Sequence, residues 1–174
     1  MYWYATDNLP EGGREEPGAA KTRLIGLFRN WHAPIADVLD ATDAGRILRN
    51  DIYDRDPVDH WGAGRVTLLG DAAHPMTPNL GQGACQAIED GVVLARQLAS
   101  AREVPSALRA YESLRIPRTA SVVTTSRRVG QMGQLESPAL CRLRDLVLGM
   151  IPVSMTYRHL DGLAGYEGHL DPQA

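Results

Sequence analysis

Apolar residues follow two different spacings along the chain, and the two spacings predict its elements. Runs rich in aromatic or β-branched residues predict short strands at 1–6, 46–55 and 65–69. Apolar residues at helical spacing predict helices at 21–31, 35–41, 81–98, 104–129 and 140–150. The pattern therefore predicts an α/β (α+β) chain whose second half is mainly helical.

Prolines and turn residues set the boundaries of these elements. Pro105 occupies the favoured first turn of the helix that begins at Val104. Pro117 lies inside the same helix and is expected to kink it, because proline removes one backbone donor. Residues 8–19 show no period and predict a loop, and residues 156–174 form a tail to which no element is assigned.

The most informative stretch is 64–100, where a strand, a loop and a helix follow one another. The predicted buried strand ends at a glycine and a carboxylate, and a glycine turn opens the helix; these residues are Gly70, Asp71, Pro75, Pro78, Gly81, Gln82 and Gly83. Ile88, Val92, Ala95 and Leu98 give the helix an apolar side. A strand, an acidic loop, a glycine turn and a helix in this order are typical of a nucleotide-cofactor site.

Physical chemistry assigns roles to the polar group and to the glycines of this stretch. An aspartate directly after a buried strand lies at the carboxyl edge of a sheet, where open α/β folds bind ligands. Asp71 would repel a phosphate, but its carboxylate can accept hydrogen bonds from a ribityl or ribose chain. Gly81 and Gly83 leave backbone N–H groups uncovered at a helix N-terminus, which stabilises negative charge on a bound heterocycle.

The string G-D-A-A-H-P at 70–75, followed by P-x-x-G-Q-G at 78–83, resembles the second flavin-binding motif of the class A aromatic-ring hydroxylases. These are single-component FAD monooxygenases of the para-hydroxybenzoate hydroxylase fold, and salicylate hydroxylase-like and zeaxanthin epoxidase-like enzymes share it. The resemblance implies bound FAD, NAD(P)H as a transient reductant, O2, and a small aromatic or unsaturated substrate. It implies that Asp71 binds the ribityl chain, that Pro78 borders the isoalloxazine, and that Gly81, Gln82 and Gly83 place backbone amides near its N1–C2=O edge.

The resemblance also implies an order of domains. Residues 1–60 match the C-terminal part of a substrate domain with remnant strands, 61–130 the second part of the FAD-binding domain, and 131–174 a C-terminal helical region and tail. Arginines such as Arg115 and Arg118 are expected in salt bridges. A dinucleotide fingerprint G-x-G-x-x-G after a strand does not occur in the sequence, since the nearest match ends in Gln86. We therefore expect the chain to form the back half of a flavoprotein.

Charge and cysteine content exclude several other classes of function. A net charge of −3 predicts no attraction to nucleic acid or to an anionic membrane. The two cysteines, Cys85 and Cys141, form no C-x-x-C pair, which favours a reduced, cytoplasmic protein. No cluster with metal-ligand spacing is present in the sequence. His60 and His74 adjoin the motif and are interpreted as capping or packing residues rather than catalysts.

Two functions remain open at this point. The first is the flavin-site part of an NAD(P)H-dependent monooxygenase, with a general base that the sequence does not identify. The second is a truncated, non-catalytic homologue that serves as a binding or scaffold module. We also expect the chain, expressed by itself, to self-associate and to bind FAD weakly, because no segment offers a pyrophosphate-binding turn after a strand.

Overall fold

The computed structural model describes residues 2–152 and 154, and its contacts divide the chain into two compact units between Ile52 and Tyr53. Five helices lie in the described residues: α1 Pro17–Phe28, α2 Ile35–Ala41, α3 Gly83–Ser100, α4 Val104–Gly133 and α5 Pro138–Met150. Three single 3-10 turns, Ala44–Arg46, Gly70–Ala72 and Pro78–Leu80, join them. Within the same residues no helix is long and apolar enough to cross a membrane.

In the first unit, α1 packs against α2 and the turn at 44–46. Leu24 and Leu39 are buried there. The Lys21 ammonium donates to the carbonyl oxygens of Asp40 and Thr42, each at 2.8 Å. A cation that binds the last carbonyls of a helix satisfies groups without an intrahelical partner, so Lys21 closes the C-terminus of α2.

Helix α1 begins four residues before the predicted start at Lys21 and ends at Phe28. Pro17 opens it, in agreement with the preference of proline for the first helical turn. Trp31, which the spacing placed in the helix, lies beyond its end and packs edge-on against the Phe28 ring at 4.9 Å. The apolar spacing therefore extends to Trp31, three residues beyond the end of the helix at Phe28, and the predicted C-terminus of this helix was wrong.

The three predicted strands, 1–6, 46–55 and 65–69, form no β-ladder within the described residues, so the strand component of the predicted fold is not confirmed. Leu69 does have extended backbone, with φ −146° and ψ 148°. A strand also needs a neighbour with which to exchange hydrogen bonds. Here the carbonyl of Leu68 accepts from the Tyr111 hydroxyl at 3.2 Å, and that of Val66 accepts from Arg109 at 3.1 Å.

In the second unit, α3 packs along α4, and polar and charged residues are buried in the contact between them. The predicted apolar side of α3 is the exposed one: Ile88 is 68% exposed, and Val92 and Leu98 are each 43% exposed. The buried positions of α3 are Gln86, Asp90 and Val93. A buried charge needs a partner of opposite charge, and Asp90 of α3 has Arg115 as that partner. Hydrophobic spacing does not detect such pairs, and it therefore predicted the wrong buried face.

Helix α4 supplies the partner for that polar face. It continues for 30 residues through Pro117. The spacing predicts Leu108, Tyr111 and Leu114 as the apolar stripe of this helix and Arg115 on a polar face. Leu108 and Tyr111 are buried, whereas Leu114 is 37% exposed. Arg115, which the pattern placed on a polar face, is fully buried.

Trp61, Ala73, Val93 and Tyr111 form a hydrophobic cluster beside the polar contact. The Trp61 ring lies 5.7 Å from the Tyr111 ring and 5.5 Å from the His74 ring. Because Trp61 precedes the segment 65–69 and Ala73 follows it, this cluster attaches the segment to α3 and α4. The predicted domain limits at residues 60 and 130 stay predictions, and the tail 156–174 lies outside the described residues.

Candidate functional site

The turn that carries Asp71 is closed by its own backbone. Gly70 has φ +59°, a left-handed conformation that favours glycine. Its carbonyl accepts from the N–H groups of Ala73 and His74 at 2.8 and 2.9 Å, which defines the 3-10 turn Gly70–Ala72. Asp71 is exposed on this turn, while Gly70, Ala73 and His74 are buried. The Asp71 carboxylate is therefore exposed to solvent on a turn that buried residues hold on both sides.

The first residue of α3 lies next to this carboxylate. A Cβ atom built on Gly83 would lie 3.9 Å from Asp71 Oδ1 and 3.8 Å from Met76 Cγ. The structure therefore brings together two of the predicted site residues, twelve positions apart in sequence. Backbone N–H groups of the first turn of α3 have no intrahelical acceptor, so uncovered donors lie beside a carboxylate acceptor.

The remaining predicted site residues lie on the approach to α3. Pro78 opens the exposed turn Pro78–Leu80, Gly81 follows it with φ +64°, and Gln82 is the N-cap of α3 without a side-chain capping bond. Open space surrounds the Cβ position of Gly81. Gly81 is therefore the glycine that adopts positive φ, and Gly83 is the glycine that lies close to Asp71.

A buried carboxylate on α3 holds the Asp71 turn from behind. Asp90 Oδ2 accepts from the backbone N–H of Gly70 at 3.0 Å and from His74 Nε2 at 2.6 Å. Asp90 Oδ1 accepts from Arg115 Nε at 2.7 Å. Burial by itself raises the pKa of Asp90, but these hydrogen bonds outweigh it and hold the pKa below its ordinary value. Asp90 is thus an anion that joins both ends of the turn to α4.

Arg115 and Arg118 complete this network, in the salt bridges that the family resemblance implied. Arg115 donates to Glu89 Oε2 at 2.6 Å and to Gln86 Oε1 at 2.8 Å. Arg118 makes a two-point contact with Glu89, at 2.7 and 2.8 Å. Burial by itself raises the pKa of Glu89, but the hydrogen bonds from the two guanidinium groups outweigh this effect. The pKa of Glu89 therefore lies below its ordinary value of 4.5.

Further contacts fix the loop at its other positions. The Ser126 hydroxyl on α4 donates to the carbonyl oxygen of Thr77 at 2.6 Å. The Asn79 side chain lies against Gly130, where an added Cβ would come within 2.6 Å of its Nδ2. Arg55 donates to the carbonyl oxygens of Ala72 and Ala73, at 3.3 and 2.7 Å. Both the Asp71 turn and the approach to α3 therefore have partners outside the loop.

Sequence reasoning identified Arg115 and Arg118 in salt bridges but assigned no supporting role to His74 or Asp90. His74, interpreted as a capping or packing residue, is buried against Trp61, and its ring also bonds Asp90. Asp90 received no role. The signal that could have found it is the adjacent pair Glu89-Asp90 inside a helix whose neighbouring helix carries arginines at 115 and 118. The spacing of three residues between those arginines places them on one helix face.

The geometry describes a loop that places one carboxylate beside the glycine start of a helix, and comparison with known proteins gives the class. The family model described as FAD binding domain matches residues 40–126, half of the chain. The chain therefore belongs to the FAD-binding domain family of the class A flavoprotein monooxygenases.

Individual relatives agree with this family. The chain is 49% identical over 150 residues to the aurachin C monooxygenase/isomerase of Stigmatella aurantiaca, which covers 86% of this chain and 39% of that protein. It is 50% identical over 125 residues to the chloroplastic zeaxanthin epoxidase of Nicotiana plumbaginifolia, covering 66% of this chain and 19% of the relative.

The solved structures of Klebsiella pneumoniae HpxO are similar as well. The structure of HpxO complexed with FAD and uric acid aligns with a TM-score of 0.79 at 31% identity, over 91% of this chain and 40% of that one. A variant of HpxO complexed with FAD aligns with a TM-score of 0.82 at 30% identity, over 90% and 41%. The chain thus spans about two fifths of the length of these structures.

Proposed function

We propose that this chain forms the flavin-site part of an FAD-dependent monooxygenase that uses NAD(P)H and O2 to hydroxylate or epoxidise a small aromatic or unsaturated substrate. The observation that carries the proposal is the position of Asp71 beside Gly83 at the N-terminus of α3. A polyol acceptor and a set of uncovered backbone donors lie together there. These are the two kinds of group that the ribityl chain and the N1–C2=O edge of a flavin require.

The residues present fit this cofactor. Asp71 would accept hydrogen bonds from ribityl hydroxyls, and its exposure leaves the carboxylate accessible to them. Pro78 would border the isoalloxazine. Gly81, Gln82 and Gly83 would lie at the ring edge, where the positive end of the α3 dipole stabilises negative charge. The Gly81 N–H, expected to be uncovered, already donates to the Pro78 carbonyl at 2.9 Å, so the N–H groups of Gln82 and Gly83 would serve as donors to the ring. Gly83 has no side chain, so the space next to Asp71 stays open to a ring.

Bound FAD supplies the oxygen chemistry, and the protein supplies position and polarity. The relatives bear names that refer to different substrates: an aurachin, zeaxanthin, and uric acid in the HpxO complex. Each of these is either cyclic or unsaturated, which supports the proposed substrate class. We propose that the pyrophosphate of FAD is bound by a G-x-G-x-x-G segment outside these residues, in cis or on a second polypeptide.

A non-catalytic binding or scaffold module is the second candidate. The two candidates differ in turnover. In the complete flavoprotein, with the ADP-binding half supplied in cis or in trans, a monooxygenase should purify with flavin absorbance and oxidise NAD(P)H when O2 and substrate are present. A colourless preparation that gains no bound flavin after FAD is added would instead support the binding module.

A further inference from the structure

We propose that His74 and Asp90 are positioning residues that set the orientation of the Asp71 carboxylate toward the flavin. The proposal rests on the proposed function, because it concerns how the same site is held. Neither residue needs to touch the cofactor. Both act through the turn between Gly70 and His74.

The first step of the argument is geometric. One oxygen atom, Asp90 Oδ2, accepts hydrogen bonds from Gly70 N–H at 3.0 Å and from His74 Nε2 at 2.6 Å. Gly70 directly precedes Asp71, and His74 follows it by three residues. A single buried atom therefore holds the turn on both sides of the exposed carboxylate, and a rotation of the turn would break at least one of the two bonds.

The second step concerns charge. Asp90 and Arg115 are both fully buried, and Arg115 bonds the other carboxylate oxygen, Asp90 Oδ1, at 2.7 Å. Because a carboxylate only accepts hydrogen bonds, the imidazole must carry its hydrogen on Nε2. Asp90 has no access to water as an alternative donor. The loss of the His74 donor would leave a buried anion short of one partner, and the turn would shift to compensate.

The third step is the packing of the imidazole. The His74 ring is buried, with its centroid 5.5 Å from that of Trp61, and Trp61 belongs to the hydrophobic cluster. Neither the ring nor the Asp90 carboxylate can therefore reorient without disturbing the core. In contrast, Asp71 is exposed, and its carboxylate moves with the turn that carries it. The network thus transmits the rigidity of the core to an exposed side chain.

The experiment is a double-mutant cycle on FAD affinity in the complete flavoprotein, measured by quenching of flavin fluorescence. The variants are His74→Leu, Asp71→Ala and the double substitution. His74→Gln keeps an amide N–H donor that can reach Asp90 and serves as the conservative rescue. Val123→Ala, a buried residue of α4, controls for a general loss of stability.

We expect His74→Leu to weaken FAD affinity about fivefold or more in the wild-type background, the size of a coupling between interacting residues. In the Asp71→Ala background the same change should have little further effect, because His74 acts through Asp71. His74→Gln should restore most of the affinity. Val123→Ala should lower the melting temperature and leave FAD affinity close to that of the wild type.

An equal loss of affinity from His74→Leu in both backgrounds would show a general structural role and overturn the proposal. So would unchanged affinity in His74→Leu while Asp71→Ala is impaired. If His74→Leu does not fold, His74→Asn replaces it, since its shorter amide cannot reach the position of Nε2. Failure of the proposed function looks different: the wild type binds no FAD, or Asp71→Ala binds it as well as the wild type.

Discussion

At the scale of single residues, the candidate site divides into an exposed group and buried groups that hold it. Asp71 is accessible to a ligand, whereas Asp90 and Arg115 are completely enclosed. Substitutions of the two kinds should therefore have different effects. Substitution of an exposed site residue should change ligand affinity with little change in folding stability. Substitution of a buried charged residue should lower folding stability directly.

Asp71→Ala should weaken FAD binding in the complete flavoprotein by about tenfold or more, since a charge-assisted hydrogen bond contributes about 1.5–3 kcal/mol. Flavin fluorescence quenching measures this affinity. The melting temperature without FAD should stay near that of the wild type. Asp145→Ala, which removes an exposed carboxylate on α5, is the matched control and should bind FAD normally. Equal affinity in wild type and Asp71→Ala would remove Asp71 from the site.

Glu89→Gln should make the protein less stable at neutral pH and less sensitive to acid. Glu89 binds Arg115 and Arg118, and its folded-state pKa lies below the ordinary value of 4.5. A lowered folded-state pKa gives stability that is fully present above pH 4.5 and is lost as pH falls through the folded-state pKa. The free energy of unfolding of the variant should therefore be lower than that of the wild type by about 1.5–3 kcal/mol at pH 7. At low pH the difference should be much smaller.

Thermal melts in steps from pH 7 to about pH 3 would measure this difference across the range in which carboxylates titrate. Asp59→Asn, in an exposed loop, is the control and should run parallel to the wild type at every pH. A constant difference between wild type and Glu89→Gln over the whole range would contradict the role given to the ion pair.

At the scale of elements, the start of α3 assigns different tasks to its two glycines. Gly81 has φ +64° with open space around its Cβ position, so a side chain there meets backbone strain and no clash. Gly83 has ordinary contact distances to Met76 and Asp71, so alanine fits and only a larger side chain reaches the carboxylate. The sequence string G-Q-G alone treats both glycines alike.

Gly83→Val should therefore prevent FAD from binding, because the γ-methyl groups of valine would occupy the space beside Asp71. The measurement is the rise in melting temperature of the complete flavoprotein when FAD is added. Gly83→Ala should keep most of that rise, and Gly81→Ala should melt earlier without FAD but keep the rise. If Gly83→Val shows the full wild-type shift, the ring edge does not lie next to this position.

At the scale of the whole molecule, the second unit leaves apolar side chains exposed on more than one element. Val66 is 66% exposed, Ile88 68% and Met150 75%. Exposed apolar area on this scale marks surfaces that associate with other proteins or domains. The apolar side of α3 and the segment 65–69 would both be covered by a further domain or by another copy of the chain.

The chain by itself should accordingly self-associate, bind FAD weakly or not at all, and oxidise no NAD(P)H. Sedimentation velocity and flavin titration measure the first two properties, and addition of the ADP-binding half should reduce association and restore binding. The physical reason is that the pyrophosphate needs a glycine-rich turn at a helix N-terminus, and the sequence has none after a strand. A monomer that melts sharply and binds FAD at micromolar concentration would overturn this prediction.

The sequence by itself determined the family, the positions of the helices and the residues of the proposed flavin loop. The string from Gly70 to Gly83 resembled one family, and the helices α2 and α5 lie where their patterns placed them. These features are local: they depend on turn residues, on prolines at helix starts and on the period of apolar side chains. The same short string implied that Asp71 and Gly83 bind one cofactor, and the structure places the two residues next to each other.

Only the tertiary structure decided which face of α3 is buried and what holds Asp71 in place. Hydrophobic spacing placed Ile88 and Val92 on the apolar side of an amphipathic helix, yet the buried positions include Gln86 and Asp90. A buried carboxylate is stable only where a cation and donors converge on it, and those come from Arg115, His74 and Gly70, up to 25 residues away. The strands also depended on distant partners, because a β-ladder is a property of two segments and the pattern along one segment cannot supply the second.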